Sequence, residues 1–459
     1  TGNVPNSLIG RDSFQEVDIT GVTMPITKHN FLVKRVEDLA DTIREAFRIA
    51  KSGRPGPVLV DIPKDVQNAL YEYTAQAPAA KNPVPAANES EIEKAAEMIL
   101  AAEKPYIYIG GGAITDNAGA EVLALAEKID APIGCTMMGI SAVPTSNPRW
   151  LGMEGMHGHY ASSIAQNEAD LIITAGARFS DRGTGNTAKY ARNAKIIHID
   201  IDASELCKNI SVELGIAGSM KEILTRLMDK LPQQTHPDWM ARVAELQAET
   251  AKLEAQDPDE LTPFTAIDQI AAVADKDTIV ATDVGQHQMW TMQFYPFEKP
   301  HTLLTSGGLG TMGYGLGAAI GGCIAARGRR TVLFTGDGSF GMNLNEMATA
   351  VSQELPITIV IFDNDVLGMV RQWQRLFYGK RFSQTNIERG TDLMKLADAF
   401  GVEGIRITKK SEIKPMLEKA LKCGKPCLVD VIINKDINVL PMVPAGADVS
   451  QPIMNIKLD

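Results

Sequence analysis

Apolar residues along the chain follow two rhythms. From Val36 to Phe47 (VEDLADTIREAF) they return every three to four positions, which predicts an amphipathic helix. The run Pro57-Val-Leu-Val-Asp-Ile62 that follows is short and almost wholly apolar, the pattern of a buried parallel strand. Beyond residue 89 the two signals alternate. Ser90-Glu-Ile-Glu93 has the spacing of a capping box at a helix start. Tyr106–Ile109, Leu171–Thr174 and Lys195–Asp200 read as strands, and Thr278–Thr282, Thr331–Thr335, Pro356–Phe362 and Cys427–Ile433 continue the series.

Alternation of this kind implies βαβ units. The predicted fold class is α/β, with doubly wound parallel sheets covered by helices on both faces. Two stretches punctuate the pattern: residues 74–88, rich in Pro and Ala, and residues 236–261, polar, helix-forming and rich in Gln and Glu. Read as linkers, they leave a first block (1–73), a central domain (89–235) and a last domain (262–459). About three domains is also what a chain of this length suggests. The first block is too short for a complete α/β domain.

Composition changes this picture little: 44% hydrophobic and 22% charged residues describe a soluble globular chain. Charge excludes more. Lys and Arg total 45 against 56 Asp and Glu, a formal net charge of −11, which argues against a nucleic-acid partner. The one dense basic cluster, Arg327-Gly-Arg-Arg330, falls between a helix and a strand and reads as a solvated loop. No apolar run approaches the roughly 20 residues of a membrane span. The opening TGNVPNSLIG has neither the basic nor the apolar region of a signal peptide. Cys135, Cys207, Cys323, Cys423 and Cys427 are scattered and read as thiols of a reducing cytoplasm. Cys423-x3-Cys427 and His157-x-His159 each lack the further ligands of a zinc site.

The strongest chemical signal is Gly336-Asp-Gly338 followed by Asp363-Asn364. Asp337 and Asn364 stand 27 residues apart, one strand–helix–strand step. Both are therefore expected beyond the ends of adjacent parallel strands, where open α/β sheets bind ligands. A carboxylate and an amide oxygen are hard donors, too few to enclose a metal alone. They suit Mg2+, whose remaining positions go to phosphate and water. Gly338 allows close backbone approach, and the N–H groups opening the next helix, Gly341 to about Gln353, favour an anion. The local inference is a Mg2+–diphosphate site, although a GDG taken alone is also a common turn.

With that spacing the motif resembles the thiamine diphosphate signature. The likeness continues in Asp283-Val-Gly-Gln-His-Gln-Met-Trp290, Gly307-Gly-Leu-Gly-Thr-Met-Gly-Tyr-Gly315 and Leu367-Gly-Met-Val-Arg-Gln-Trp373. Gly53-Arg-Pro-Gly-Pro-Val-Leu-Val-Asp-Ile-Pro-Lys64 and Ala177-Arg-Phe-Ser-Asp-Arg182 add to it. Together these motifs resemble the catalytic large subunits of biosynthetic acetohydroxyacid (acetolactate) synthases over essentially the whole chain.

The resemblance implies a three-domain thiamine-diphosphate enzyme fold, with only the C-terminal part of the first, pyrimidine-binding domain present. It implies decarboxylation of pyruvate and carboligation to a second 2-keto acid, pyruvate or 2-ketobutyrate. The products would be 2-acetolactate or 2-aceto-2-hydroxybutyrate, on the way to branched-chain amino acids. Mg2+ would be held by Asp337, Asn364 and the carbonyl of Val366. Thiamine diphosphate would touch Gln286, His287, Gly336, Gly338 and Ser339, with Met312 wedged beneath it. Met369 and Trp373 would shape the pocket for the second keto acid, and Gln15 and Lys64 would line the access channel. FAD, structural rather than redox-active, would be bound in the central domain by Gly111, Gly112, Met156, His157, Arg178, Asp181, Arg182, Asp200 and Ile201, with Arg54 from the first block.

Read alone, several of these residues have plainer roles. Gln286-His287 is an ordinary polar loop, Met312 and Trp373 are core residues, Gly110–Gly112 is a plain turn, and Arg54 and Lys64 make surface ion pairs. The partners implied are small 2-keto acids, a second copy in a homodimer or homotetramer, and a regulatory small subunit, in the cytoplasm. The family's activating glutamate sits in an N-terminal segment with no match here. No residue of the chain is assigned that role, and these 459 residues alone are expected to turn over slowly. A flavin-dependent pyruvate oxidase and a non-catalytic cofactor-binding fragment are the competing readings.

Overall fold

The computed structural model describes residues 1–77, 84–256, 260–387 and 390–455. Residues 78–83 and 257–259, parts of the two stretches read as linkers, lie outside that set. The chain forms two compact units. The first holds Thr1–Ala86 with the short returns Ile201–Ala203 and Ala217–Ser219, and the second holds the rest.

In the first unit the strand Val58–Pro63 lies between Gly2–Asn3 and His29–Leu32, all parallel. Asp61 on this strand is only 1% exposed. Its burial is tolerated because the carboxylate accepts from Thr1 Oγ1 (2.9 Å) and Asn3 Nδ2 (2.6 Å). The amphipathic helix spans Val36–Lys51, one turn longer than the pattern predicts.

The second unit carries two six-stranded sheets. The central one runs, edge to edge, Trp150–Met153, Ile133–Cys135, Pro105–Ile109, Leu171–Ala175, Lys195–Asp200 and Leu214–Ala217. The last runs Leu303–Leu304, Ile279–Thr282, Thr331–Gly336, Ile357–Asp363, Cys427–Ile432 and Glu403–Ile407. All pairings in the last sheet are parallel, as are those from Trp150–Met153 through Lys195–Asp200 in the central one. Each predicted strand is found within one residue of its expected ends. The reason is burial: the central strands are covered on both faces, so apolar residues run unbroken through them.

Three helical expectations shift. The capping box lies two residues earlier: Asn88 caps a helix Glu89–Leu100, and its N–H donates to Glu91 Oε2 at 3.0 Å. That start places Ile92, Ala95, Ala96 and Ile99 on the buried face. The helix expected from Gly341 to Gln353 is broken into Asp337–Phe340, a turn Leu344–Glu346 and Met347–Ser352. Asn343, at the break, donates its side-chain amide to Gly313 O at 3.3 Å. Finally, the stretch 236–261 contains a helix, Pro237–Leu253, that packs on the central sheet. Trp239 is 3% exposed and donates Nε1 to Pro105 O at 3.0 Å, and Val243 and Leu246 are buried with Ala161 and Ala165.

Among the described residues no helix is long and apolar enough to cross a membrane. The five cysteines are free, with Cys135, Cys323 and Cys427 buried.

Candidate active site

In the last sheet, Ile279–Thr282, Thr331–Gly336 and Ile357–Asp363 are neighbours in parallel register. The segments leaving them start on one edge of the sheet, at the point where the strand order reverses, the usual ligand position in such folds. They close a cavity. Gln286, His287, Met312, Gly336, Asp337, Gly338, Ser339, Asn364, Val366 and Met369 all line it, beside Val284, Trp290, Phe362, Leu367 and Gly368, to which the sequence assigned no role.

Asp337 and Asn364 bring hard oxygen donors into the lining. Carboxylate oxygens of Asp337, Asp363 and Asp365 lie within 4.8 Å of one another, a grouping of the kind that holds a cation. Asn364 Oδ1 accepts the Val366 N–H at 3.2 Å, which shapes the turn between them. Burial, and then the Asp365 charge, raises the pKa of Asp363. Behind it, burial pushes Asp430 up to about 6, although Arg406 Nε donates to Asp430 at 2.7 Å. Three hard carboxylates this close repel one another unless a cation or proton sits among them, so Mg2+ fits the donor set. Asp363 and Asp365 flank Asn364 in the sequence, and that adjacency was the available signal for them.

The start of the helix Gln286–Phe294 supplies another part of the lining. Gln286 and His287 open it, both at 5% exposure or less. A Cβ on Gly368 would collide with Gln286 Oε1 and lie 3.3 Å from Asn364 Nδ2, so a side chain there would displace the Gln286 amide. Burial drives the His287 pKa down to about 3, with the Asp283 backbone as its one hydrogen-bond contact, so the ring is neutral. His287 Nε2 and Gln286 Oε1 are both buried without a protein partner. Buried orphan acceptors are rare unless a ligand or water satisfies them. Ser339 donates Oγ to Val284 O at 2.7 Å and so clamps two of the loops together.

Met312 reaches the cavity from a turn held by Asp283. The Asp283 carboxylate, 2% exposed, accepts from the N–H groups of Val284 (2.9 Å), Gly313 (2.9 Å) and Gly315 (3.3 Å). Gly313 adopts φ +87°, a left-handed conformation at the start of the helix Tyr314–Ala325. Met369 lies in the first turn of the helix Gly368–Phe377 and faces the cavity. Trp373, one turn on and expected to shape the substrate pocket with Met369, does not line this cavity. Its ring instead meets Phe377 edge-on at 5.2 Å.

The residues expected to hold a flavin sit at the strand ends of the central sheet. Gly110 and Gly112 owe their identity to packing: a Cβ on either would strike the backbone of Gly176. Met156 and Arg182 are joined by Met156 N–H to Arg182 O at 2.8 Å. Arg178, Asp181 and Arg182 are exposed, with Arg182 and Asp181 3.6 Å apart. His157 is buried with Nδ1 unpartnered, and desolvation lowers its pKa to about 4. Asp200 is 8% exposed at the end of its strand, 4.0 Å from His198. Arg54, Gln15 and Lys64 are exposed residues of the first unit, to which Ile201 also belongs.

Comparison with known proteins agrees with this layout. Residues 92–227 match the model of the thiamine pyrophosphate enzyme central domain, and 283–431 that of the C-terminal TPP binding domain. The chain is 44% identical to the acetolactate synthase isozyme 1 large subunit of Escherichia coli, over 97% of this chain and 79% of that protein. It is 41% identical to a probable acetolactate synthase large subunit of Methanocaldococcus jannaschii, over 100% of this chain and 80% of that protein. The acetolactate synthase large subunit of Corynebacterium glutamicum is also 41% identical, over 97% of this chain and 74% of that protein. The chain belongs to the acetolactate synthase large-subunit family of thiamine pyrophosphate enzymes.

Proposed function

We propose that the protein is the catalytic subunit of an acetolactate synthase, joining the acyl unit left by decarboxylation of pyruvate to a second 2-keto acid, pyruvate or 2-ketobutyrate. The observation that carries this reading is the cavity of the last sheet, where hard oxygen donors and two buried acceptors without protein partners come together at the switch point. Asp337, Asn364 and the Val366 carbonyl would hold Mg2+, and Gly336, Gly338 and Ser339 would lie along the diphosphate. When bound, thiamine diphosphate supplies a carbon nucleophile and an electron sink for loss of CO2. The chain's own part is to bind, orient and dry the site. Met312, anchored through Asp283, would sit beneath the cofactor and hold it in place. Phe362, Trp290 and Leu367 give the cavity apolar walls that exclude water. Met369 would meet the substrate.

FAD belongs to the same proposal. The exposed guanidiniums of Arg178 and Arg182 suit an anionic dinucleotide, with Asp200 placed to accept from a hydroxyl. A second copy in a homodimer or homotetramer, a regulatory small subunit and a cytoplasmic setting complete the reading. The "large subunit" in the relatives' names supports the small-subunit partner. The test is product analysis of purified protein given pyruvate, thiamine diphosphate, Mg2+ and FAD. Acetolactate formed without oxygen uptake is the expected result. Oxygen consumption with pyruvate alone would assign a pyruvate oxidase instead.

A further inference from the structure

Gln372 lies within the motif Leu367–Trp373 and was given no role there, yet it controls a residue that lines the cavity. It lies on the helix Gly368–Phe377 and is 2% exposed. Its two ends are told apart by their contacts with one residue. Gln372 Nε2 donates to Val439 O at 3.0 Å, and Gln372 Oε1 accepts the Val439 N–H at 2.8 Å. A backbone carbonyl only accepts and a backbone N–H only donates, so this amide has one orientation. Gln372 Oε1 is also 2.9 Å from Gln286 Nε2, which in turn lies 3.1 Å from Ile437 O. Both neighbours are acceptors, so the Gln286 end facing them must be its NH2. That leaves Gln286 Oε1 turned to the cavity, buried and without a protein partner.

We propose that Gln372 is a positioning residue that fixes the Gln286 amide with its acceptor facing the cofactor site, where it receives a hydrogen bond from a metal-bound water. The inference rests on the Mg2+–thiamine diphosphate reading above. An ionised diphosphate offers acceptors alone, so Gln286 Oε1 and a phosphate oxygen repel one another. Mg2+ keeps part of its water shell in such sites, and those waters are donors strengthened by the metal charge. Gln286 Oε1 and Asn364 Nδ2 border the same spot beside Gly368, which brings the acceptor to the metal side of the cavity.

Gln372→Met keeps the volume and removes both the acceptor and the clamp on Val439. In the full chain, thiamine diphosphate binding can be read by quenching of Trp290, which lines the cavity. Binding should weaken about 10–100-fold at limiting Mg2+, the range for loss of an outer hydrogen-bond partner of a metal site, and recover at saturating Mg2+. Unchanged affinity at limiting Mg2+, or a loss that Mg2+ does not rescue, overturns the proposal. If the variant does not fold, a crystal structure of the wild-type protein with Mn2+ and thiamine diphosphate decides. A metal-bound water within about 2.5–3.0 Å of Gln286 Oε1 is expected, and a phosphate oxygen in its place overturns the assignment. Failure of the wild-type protein to bind thiamine diphosphate with Mg2+ would refute the cofactor reading itself and is seen separately from the variant's behaviour.

Discussion

Asp283 Oδ1 accepts the backbone N–H of Gly313 at 2.9 Å, and this contact ties the end of one strand to the turn that presents Met312. The carboxylate also takes the N–H groups of Val284 and Gly315. It thus does for the start of the helix Tyr314–Ala325 what a capping side chain does elsewhere, from a distant part of the chain.

Replacing Asp283 by Ala leaves three backbone donors without this acceptor in a buried setting, where each unmade bond costs about 1–3 kcal/mol. Asp283→Ala is expected to lower the melting temperature by several degrees and to weaken thiamine diphosphate binding at least tenfold. Asp283→Asn, which retains one acceptor, should fall between. Calorimetry and a cofactor titration check both, and full affinity in the alanine variant would show that Met312 needs no such anchor.

The metal side gives the second expectation. Asp337→Asn and Asn364→Ala each remove or weaken a hard donor, and even outer-shell losses cost roughly 10–100-fold in metal affinity. Both variants should need at least that much more Mg2+ for half-maximal cofactor binding. An unshifted Mg2+ titration would refute these two ligands.

Much of this site was legible because it is local. The Asp337–Asn364 spacing spans one βαβ step, and strand order then brings the two together without help from the rest of the fold. What stayed hidden depends on distant partners. Gln372 meets Val439, 67 positions away, and Asp283 meets Gly313, 30 away; no periodicity reports such pairs. Trp373 falls outside the cavity because the helix Gly368–Phe377 reaches the lining only through its first turn, at Gly368, Met369 and Val370. The helix Pro237–Leu253 looked like a linker because its polar face is long, while Trp239, Val243 and Leu246 suffice to hold it on the sheet.

Glu154 supplies a pH dependence. It follows the strand Trp150–Met153, is 6% exposed with Oε1 buried and unpartnered, and burial raises its pKa to about 8. The folded state therefore keeps a proton that the unfolded state gives up near pH 4.5. The stability tied to this group is complete below that pH and is lost as pH rises through about 8. Glu154→Gln, neutral and of the same shape, should flatten the fall in melting temperature across that window. At alkaline pH it should be the more stable protein, by on the order of 2 kcal/mol. Parallel melting curves for variant and parent across the window would mean that the folded state holds no such proton.

The last expectation concerns flavin. Arg178 and Arg182 leave the central sheet four residues apart with exposed side chains. Arg182 is also tied through its carbonyl to Met156, next to buried His157. An arginine exposed on a loop gains little from a neighbouring carboxylate such as Asp181, since surface pairs contribute about 0–1 kcal/mol. Two guanidiniums on a bound diphosphate contribute far more, through paired charge-assisted hydrogen bonds. Arg178→Gln with Arg182→Gln should therefore release FAD, seen as loss of yellow colour and of flavin absorbance after desalting, with little change in melting temperature of the flavin-free protein. Mg2+-dependent quenching of Trp290 by thiamine diphosphate should persist, because every residue lining the cofactor cavity falls between Val284 and Val370, outside the central domain. Stoichiometric flavin in the double variant would move the FAD contact elsewhere on the central domain, and a joint loss of both cofactors would mean that these arginines support the fold instead.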